Sequence, residues 1–320
     1  MKGLTLKHLR YFEALSRHRH FGHAAEACAI SQPALSVQMK ELEALLGAPL
    51  IERGPRKVGL SPLGEALAER ARDILGAVDE LDDLVRASHE PLAGRLRIGV
   101  IPTAAPYLLP RLIRELTDRY ANLDPRPREA VTRTLIEDLR EGRLDLAIVA
   151  LPVSEVTLHE EPLFDEEFML VRSQADADDP IPNPETLREM RLLLLEEGHC
   201  FRDQALSFCQ LSSSLPRDLM EGSSLSTLVQ MVSAGIGVTL IPEMAVPVET
   251  RSACVSVARL PPPRPKRTIG MIWRKTTPLA GQFERIAQIT RGIWECGDDQ
   301  PAAQSPDSGA ANILSPNGTT

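Results

Sequence analysis

Residues 20–36 read HFGHAAEACAISQPALS. Gly22 to Ala29 is an alanine-rich helical stretch, and small side chains let a neighbouring helix approach closely. Ile30-Ser31 makes a tight turn, and Ser31 is a natural N-cap for a second helix from Gln32 to about Leu46. Pro33 falls in the first turn, where its missing N–H costs nothing. Helix, short turn and a second helix opening on small polar residues is the helix-turn-helix pattern. Upstream, Leu6, Leu9, Phe12, Ala14 and Leu15 give one apolar helical face. Downstream of Gly47, Pro49 to Arg53 and then Gly54 to Val58 read as a two-stranded wing with a basic tip.

From Pro62 to Ala87 a long helix carries Leu67, Ala71, Ile74, Val78, Leu81 and Val85. Those spacings alternate four and three, as in a two-helix coiled coil. Glu65, Arg70, Arg72, Asp79 and Asp82 flank a narrow stripe, which favours dimerisation over packing on the helix's own domain. Pro91-Leu92-Ala93-Gly94 then breaks the helix. Beyond it strands at Leu96–Ile101, Leu144–Leu151, Phe168–Val171, Leu192–Leu195, Val238–Ile241 and Thr268–Trp273 alternate with helices at Pro110–Tyr120 and Thr134–Glu141. The expectation is an α/β body with a mostly parallel sheet, folded as two lobes around a cleft. The chain from Gly297 to Thr320 has no periodicity and reads as a disordered tail.

Across 320 residues, 43% apolar and 25% charged is a globular balance, so disorder throughout is excluded. Net charge is -8, yet residues 1–62 hold nine Lys or Arg against five Asp or Glu, and the remainder 27 against 39. A +4 head on a -12 body suggests that only the N-terminus meets a polyanion. The start carries no secretory signal, and no stretch reaches the ~18 apolar residues of a membrane span. A cytoplasmic protein away from membranes is expected, in which five cysteines are not a disulfide framework.

Several motifs together carry a family resemblance. They are His20-Phe21…Ala24-Ala25, Ser31-Gln32-Pro33-Ala34-Leu35-Ser36, Leu42-Glu43…Leu46-Gly47, Leu50-Ile51-Glu52-Arg53 and Leu60-Ser61-Pro62-Leu63-Gly64. With these the chain resembles the LysR-type transcriptional regulators. A narrower signature, Glu197-Gly198-His199-Cys200-Phe201-Arg202-Asp203-Gln204 followed by Phe208-Cys209, resembles the peroxide-sensing OxyR branch. It extends to Ile101-Pro102-Thr103…Pro106 to Pro110 and to Arg267 to Gly270, and the whole covers residues 4–294. Ala34 and Phe201 depart from the threonine and leucine common in relatives; the first bears on base preference.

The resemblance implies a winged helix-turn-helix over 1–61, a coiled-coil linker helix over 62–90, and a two-lobed periplasmic-binding-protein-like α/β regulatory domain over 91–296, before the tail 297–320. It implies a regulator rather than an enzyme, with double-stranded DNA, hydrogen peroxide and RNA polymerase as partners. A homodimer or homotetramer is expected, without cofactor or metal.

For DNA, Gln32 can read adenine bidentately, and Ser31, Pro33, Ser36 and Gln38 accompany it on the recognition helix, with Ser36 and Gln38 expected on one side. Arg53, Arg56 and Lys57 suit phosphates. For peroxide, Cys200 is the reactive thiol and Cys209 the resolving one. His199 and Arg202, beside Cys200 in sequence, are expected to supply positive charge and Asp203 to orient a cation; the resemblance implies that Arg267 joins them and that Thr103 and Thr132 hold peroxide or solvent. Thr132 reads equally as a helix cap, and the nine-residue Cys200–Cys209 spacing alone reads rather as two buried structural cysteines, a reading that only the surrounding motif reverses.

His18, His20 and His23 have spacings that could hold a metal but bridge two helices of the head. Cys28, Cys254 and Cys296 have no paired spacing. Cys-x-x-Cys, HExxH, P-loop and GxSxG motifs are absent. Two rivals stay open: a regulator of the same fold whose cleft binds a small organic metabolite, and a thiol peroxidase, which would leave the helix-turn-helix unexplained.

Overall fold

Thr5 starts the first helix by a reciprocal capping box. Its Oγ1 accepts from the His8 N–H at 3.3 Å, and His8 Nδ1 accepts from the Thr5 N–H at 3.3 Å. Helix α1 (Leu6–His18) stops where Arg19 turns left-handed, and α2 (Phe21–Ala27) opens on His20, whose Nδ1 accepts from the Gly22 and His23 N–H groups. Ser31 caps α3 (Gln32–Leu46) through the Ala34 N–H, and Gly47 at φ 68° ends it. Strands β1 (Ile51–Arg53) and β2 (Val58–Leu60) pair antiparallel as the wing. Phe12, Leu15, Leu35, Leu42 and Leu50 are fully buried between these elements.

The chain is seen here as a computed structural model that describes residues 3–53, 58–89, 92–208 and 220–295; of residues 53, 79, 80 and 82–89 it describes the backbone alone. Arg56, Lys57, Cys209, Cys296 and the expected tail lie outside the described residues, and so does the Arg53 side chain.

Helix α4 (Pro62–His89) begins against the head, where a Cβ on Gly64 would stand 2.2 Å from the Leu50 carbonyl oxygen. Its apolar seam divides. Leu67 packs on the head's own core and Ala71 is buried, whereas Ile74 (45%) and Leu81 (59%) are exposed. Only the distal part of the stripe is left for a partner.

The body runs β3 (Gly94–Val100), α5 (Ala105–Arg119), β4 (Leu123–Glu129), α6 (Thr132–Arg140), β5 (Leu146–Leu151) and the long β6 (Leu158–Ser173). It continues with α7 (Pro184–Glu189), β7 (Leu192–Leu195), α8 (Cys200–Phe208), β8 (Met220–Gly222), α9 (Leu225–Ser233), β9 (Val238–Pro242) and α10 (Val246–Glu249). Strands β10 (Val255–Arg259) and β11 (Lys266–Arg274) and helix α11 (Ala280–Glu295) complete it. Strand order is β4-β3-β5-β11-β6-β9-β7-β8, with β10 on β6.

This sheet is mixed, which corrects the mostly parallel expectation. β3, β4 and β5 run parallel, as do β7, β8 and β9, but β6 and β11 pair antiparallel with each other and with their neighbours. The reason is topological: β6 carries the chain out of the first lobe and β11 brings it back alongside. Leu163 of β6 lies in the first lobe's core and Phe168 to Val171 in the second's, so one strand serves both. β4 escapes sequence reading because Pro125 and Pro127 argue against a strand; as an edge strand it tolerates them. No helix among the described residues is long and apolar enough to cross a membrane.

Candidate functional site

The site builds from the carboxyl edge of the first lobe. β3 and β4 pair in parallel register, Val100 opposite Glu129, and Thr103 and Thr132 each lie three residues beyond those ends. Strand ends of a parallel sheet are where ligands meet the fold. Thr103 is buried, and its Oγ1 accepts from Arg267 Nη1 at 2.7 Å. Thr132 is the first residue of α6, but the cap position is Val131 and no side-chain cap bond forms. The cap reading of Thr132 is therefore corrected: its hydroxyl is buried without a hydrogen-bond partner among the described residues.

From the other lobe, Cys200 is the first residue of α8. It is half-buried and packs on the core of the first lobe, while the next residue, Phe201, is buried in the core of the second. The join between the lobes thus passes between two consecutive residues. The Cys200 sulfur thus stands at a helix N-terminus, where the unpaired backbone N–H groups favour negative charge.

The expected ring of cations is arranged otherwise. His199 is half-buried, and burial pushes its imidazole below the ordinary range, against the opposing pull of Glu196 and Glu129. Burial thus works against the positive charge expected at 199. Arg202 points to β8 and β7: it is buried, donating to Glu221 Oε1 at 2.6 Å and to the Leu195 carbonyl at 2.8 Å. Asp203 is exposed and orients neither cation; Glu221 and Glu166 take that part. The physical cause is helical geometry, which turns successive side chains about 100° apart.

Arg267 ties the site together. Its Nε donates to Glu166 Oε2 at 2.8 Å, and Nη2 donates to the Thr103 carbonyl at 3.1 Å. The guanidinium carbon lies 5.4 Å from the centre of the Phe201 ring. Both ionic side chains are 0% exposed. Burial pushes the Glu166 carboxyl up, against the pull of Arg267 and of the Met244 N–H that donates to Oε1 at 2.8 Å. Glu166 was missed in the sequence, where it is one acid in an ordinary run. Gln204 was also given no role, yet its Oε1 is buried and unpaired among the described residues, one helical turn after Cys200. Its signal was the four-residue spacing from the thiol.

On the head, Ser31, Gln32 and Pro33 are exposed at the start of α3. Ser36 and Gln38 are not on one side: they flank opposite edges of the helix, because positions two apart do not face each other. Gln38 Nε2 donates instead to Glu41 Oε2 at 3.0 Å. Between the flanks Ala34, Val37 and Lys40 are exposed, and Val37 and Lys40 escaped the sequence reading. Of the three histidines, His20 spends Nδ1 on capping α2.

Two family models match: the LysR substrate binding domain over residues 89–292, and the bacterial regulatory helix-turn-helix protein, lysR family, over residues 6–65. The chain belongs to the LysR family. Within it, a Streptomyces viridosporus protein named "Probable hydrogen peroxide-inducible genes activator" is 44% identical over 90% of this chain and 93% of its own. Full-length OxyR from Pseudomonas aeruginosa with one cysteine-to-aspartate substitution superposes with TM-score 0.72 at 36% identity, covering 91% of this chain and 96% of that one. A cysteine-to-serine variant of Corynebacterium glutamicum OxyR, bound to hydrogen peroxide, gives TM-score 0.63 at 35% identity over 91% and 92%. This LysR-family regulator is of the peroxide-sensing, OxyR kind: a redox-sensing transcriptional regulator and not an enzyme.

Proposed function

We propose that hydrogen peroxide oxidises Cys200, that Cys209 then closes a disulfide with it, and that the resulting change alters how the head holds DNA. The Cys200 thiolate attacks one peroxide oxygen, leaving a sulfenic acid and releasing hydroxide, which a proton turns to water. The Cys209 thiol then displaces water from that sulfur. Reset requires an external dithiol reductant.

The observation that carries this reading is the position of Cys200 at the start of an intact helix between two cores. Eight residues of α8 separate the Cα atoms of Cys200 and Phe208 by about 12 Å at ~1.5 Å per residue. Cys209 follows within ~3.8 Å of Phe208. A disulfide tolerates Cα atoms only up to ~6.8 Å apart, so the bond forces α8 to unwind. Unwinding draws Phe201 and Ala205 from the second core and frees the contact of Cys200 with the first. A change in lobe packing then passes through α4 to the head.

The test is a peptide mass map without reductant after near-stoichiometric peroxide on the reduced chain. A linked Cys200–Cys209 peptide is expected. Both thiols remaining free would overturn the reading and direct attention to a metabolite in the cleft.

The buried, unpaired hydroxyl of Thr132 supports a role in holding peroxide. Thr132→Val is expected to leave the melting temperature equal or higher, because an unpaired buried hydroxyl costs ~1–3 kcal/mol. The same variant should slow Cys200 oxidation in stopped-flow assays. An unchanged rate with a lowered melting temperature would assign Thr132 to packing alone.

The reading divides the chain into a DNA-binding head (1–61), a linker helix (62–90) and a sensor (91–296), acting in the cytoplasm on double-stranded DNA and through RNA polymerase. Exposed Ile74 and Leu81 support a homodimer along α4, or a tetramer built on it. Gln32→Ala should relax base preference, while Arg53→Ala should weaken all sequences alike and flatten the salt slope by about one unit. Equal losses on specific and random DNA for Gln32→Ala would remove it from base reading.

A further inference from the structure

Two hollows on the sensor adjoin, and neither belongs to the thiol site: Thr103, Thr132, Cys200 and Arg267 line neither of them. The first lies where α5 and α11 pack side by side and encloses about 490 Å³. Arg111, Arg114, Arg119 and Arg285 line it beside Ile289 and Ile293. Arg119 is paired with Glu115 at 2.9 Å. Arg111, Arg114 and Arg285 are exposed and form no ion pair among the described residues. Guanidinium groups set around one hollow repel one another, and an anion between them relieves the repulsion.

The second hollow encloses about 360 Å³ and shares Arg111 and Ile293 with the first. Pro106, Pro110, Met244, Pro247, Val248 and Trp294 line it, so a charged end opens into an apolar one. Pro247 and Val248 belong to α10 of the second lobe, whereas α5 and α11 belong to the first, and an occupant touches both. Val248 is 54% exposed, a large apolar side chain facing solvent at the rim. Trp294 is half-buried and held by stacking on Phe164, ring centres 4.2 Å apart. The acid of this hollow, Glu243, is spent on Arg259. Apolar walls with a few placed polar groups, at this size, are what small-molecule sites are made of.

We propose that the joined hollows bind a small amphipathic monocarboxylate. Its carboxylate lies among Arg111, Arg114 and Arg285, whose planar forks match two oxygens. Its hydrocarbon body lies against Met244, Pro247, Val248 and Trp294. A neutral apolar molecule would leave the guanidinium groups repelling one another. An inorganic polyanion would leave the apolar wall wet and set further negative charge beside Glu115 and Glu243.

Equilibrium dialysis of labelled octanoate against the reduced full chain tests this, with tryptophan emission to locate the ligand. Saturable binding is expected, weakened about fourfold for each methylene removed from the acid. Octyl alcohol should bind about tenfold more weakly than octanoate. The triple variant Arg111→Gln/Arg114→Gln/Arg285→Gln should lose about the same factor for octanoate, the combined worth of a few exposed ion pairs. Val248→Asp should weaken octanoate from the apolar end. The chain has two tryptophans and Trp273 is 2% exposed, so the emission change should come from Trp294 and vanish in Trp294→Phe. No retained octanoate would overturn the site. So would retention that the arginine variant and Val248→Asp leave unchanged, or that never alters Trp294 emission, since the ligand then sits elsewhere. Inorganic triphosphate displacing octanoate with the higher affinity would overturn it too, making the hollow a polyanion site.

Discussion

Replacing Cys200 with serine is expected to abolish the peroxide-dependent change in the DNA footprint while leaving the folded chain and its reduced footprint intact. Serine differs by one atom and keeps the N-terminal turn of α8, so stability should stay within about 0.5–1 kcal/mol of the parent. Residual oxidation would then belong to the other thiols. Among these Cys28 is a poor nucleophile, because burial and the nearby carboxylate of Glu13 push its thiol up, in that order of weight. Cys254 is exposed and open to the oxidant. Cys209→Ser should separate the two steps: Cys200 still reaches sulfenic acid, trappable by dimedone, and no linked peptide appears. A footprint that still responds to peroxide in Cys200→Ser would move the sensor elsewhere in the chain.

Arg267→Met carries the second large effect, and it falls on stability. The mutation leaves Glu166 buried without its cation, with only the Met244 N–H on one oxygen. Breaking a buried pair from one side costs about 3–5 kcal/mol. Thr103 also loses the donor to its hydroxyl and carbonyl, which loosens the edge where the lobes meet. The double variant Arg267→Met/Glu166→Gln should recover much of the loss, because no uncompensated charge remains. Urea denaturation of the three proteins measures both numbers. A single variant within 1 kcal/mol of the parent would show that Glu166 takes up a proton at little cost, and that the pair does not brace the site.

Most of the architecture can be read along the chain wherever a local rule decides it. Ser31, Pro33 and Gly47 mark the bounds of α3 because capping and left-handed conformations depend on one residue and its nearest neighbours. The heptad spacing of α4 and the apolar runs at 146–151 and 192–195 are equally local. Sheet direction is not, because β11 meets β5 and β6 across more than a hundred residues. β4 stays hidden because tolerance of Pro125 and Pro127 depends on its being an edge.

The site divides the same way. Cys200, with the motif around it, is legible because its chemistry resides in one atom and its family context in eight consecutive residues. Which side chains surround that atom is a matter of tertiary structure alone. His199, Arg202 and Asp203 are adjacent in sequence, yet the helix turns them in different directions. One is half-buried where burial disfavours its charge, one is spent on Glu221, and one faces solvent. The charge that does brace the join comes from Arg267 and Glu166, brought together by the antiparallel pairing of β6 and β11. The sequence by itself singled out the thiol that we propose reacts. Only the folding of distant strands against one another decided what stands around it, because burial and ion pairing depend on neighbours in space.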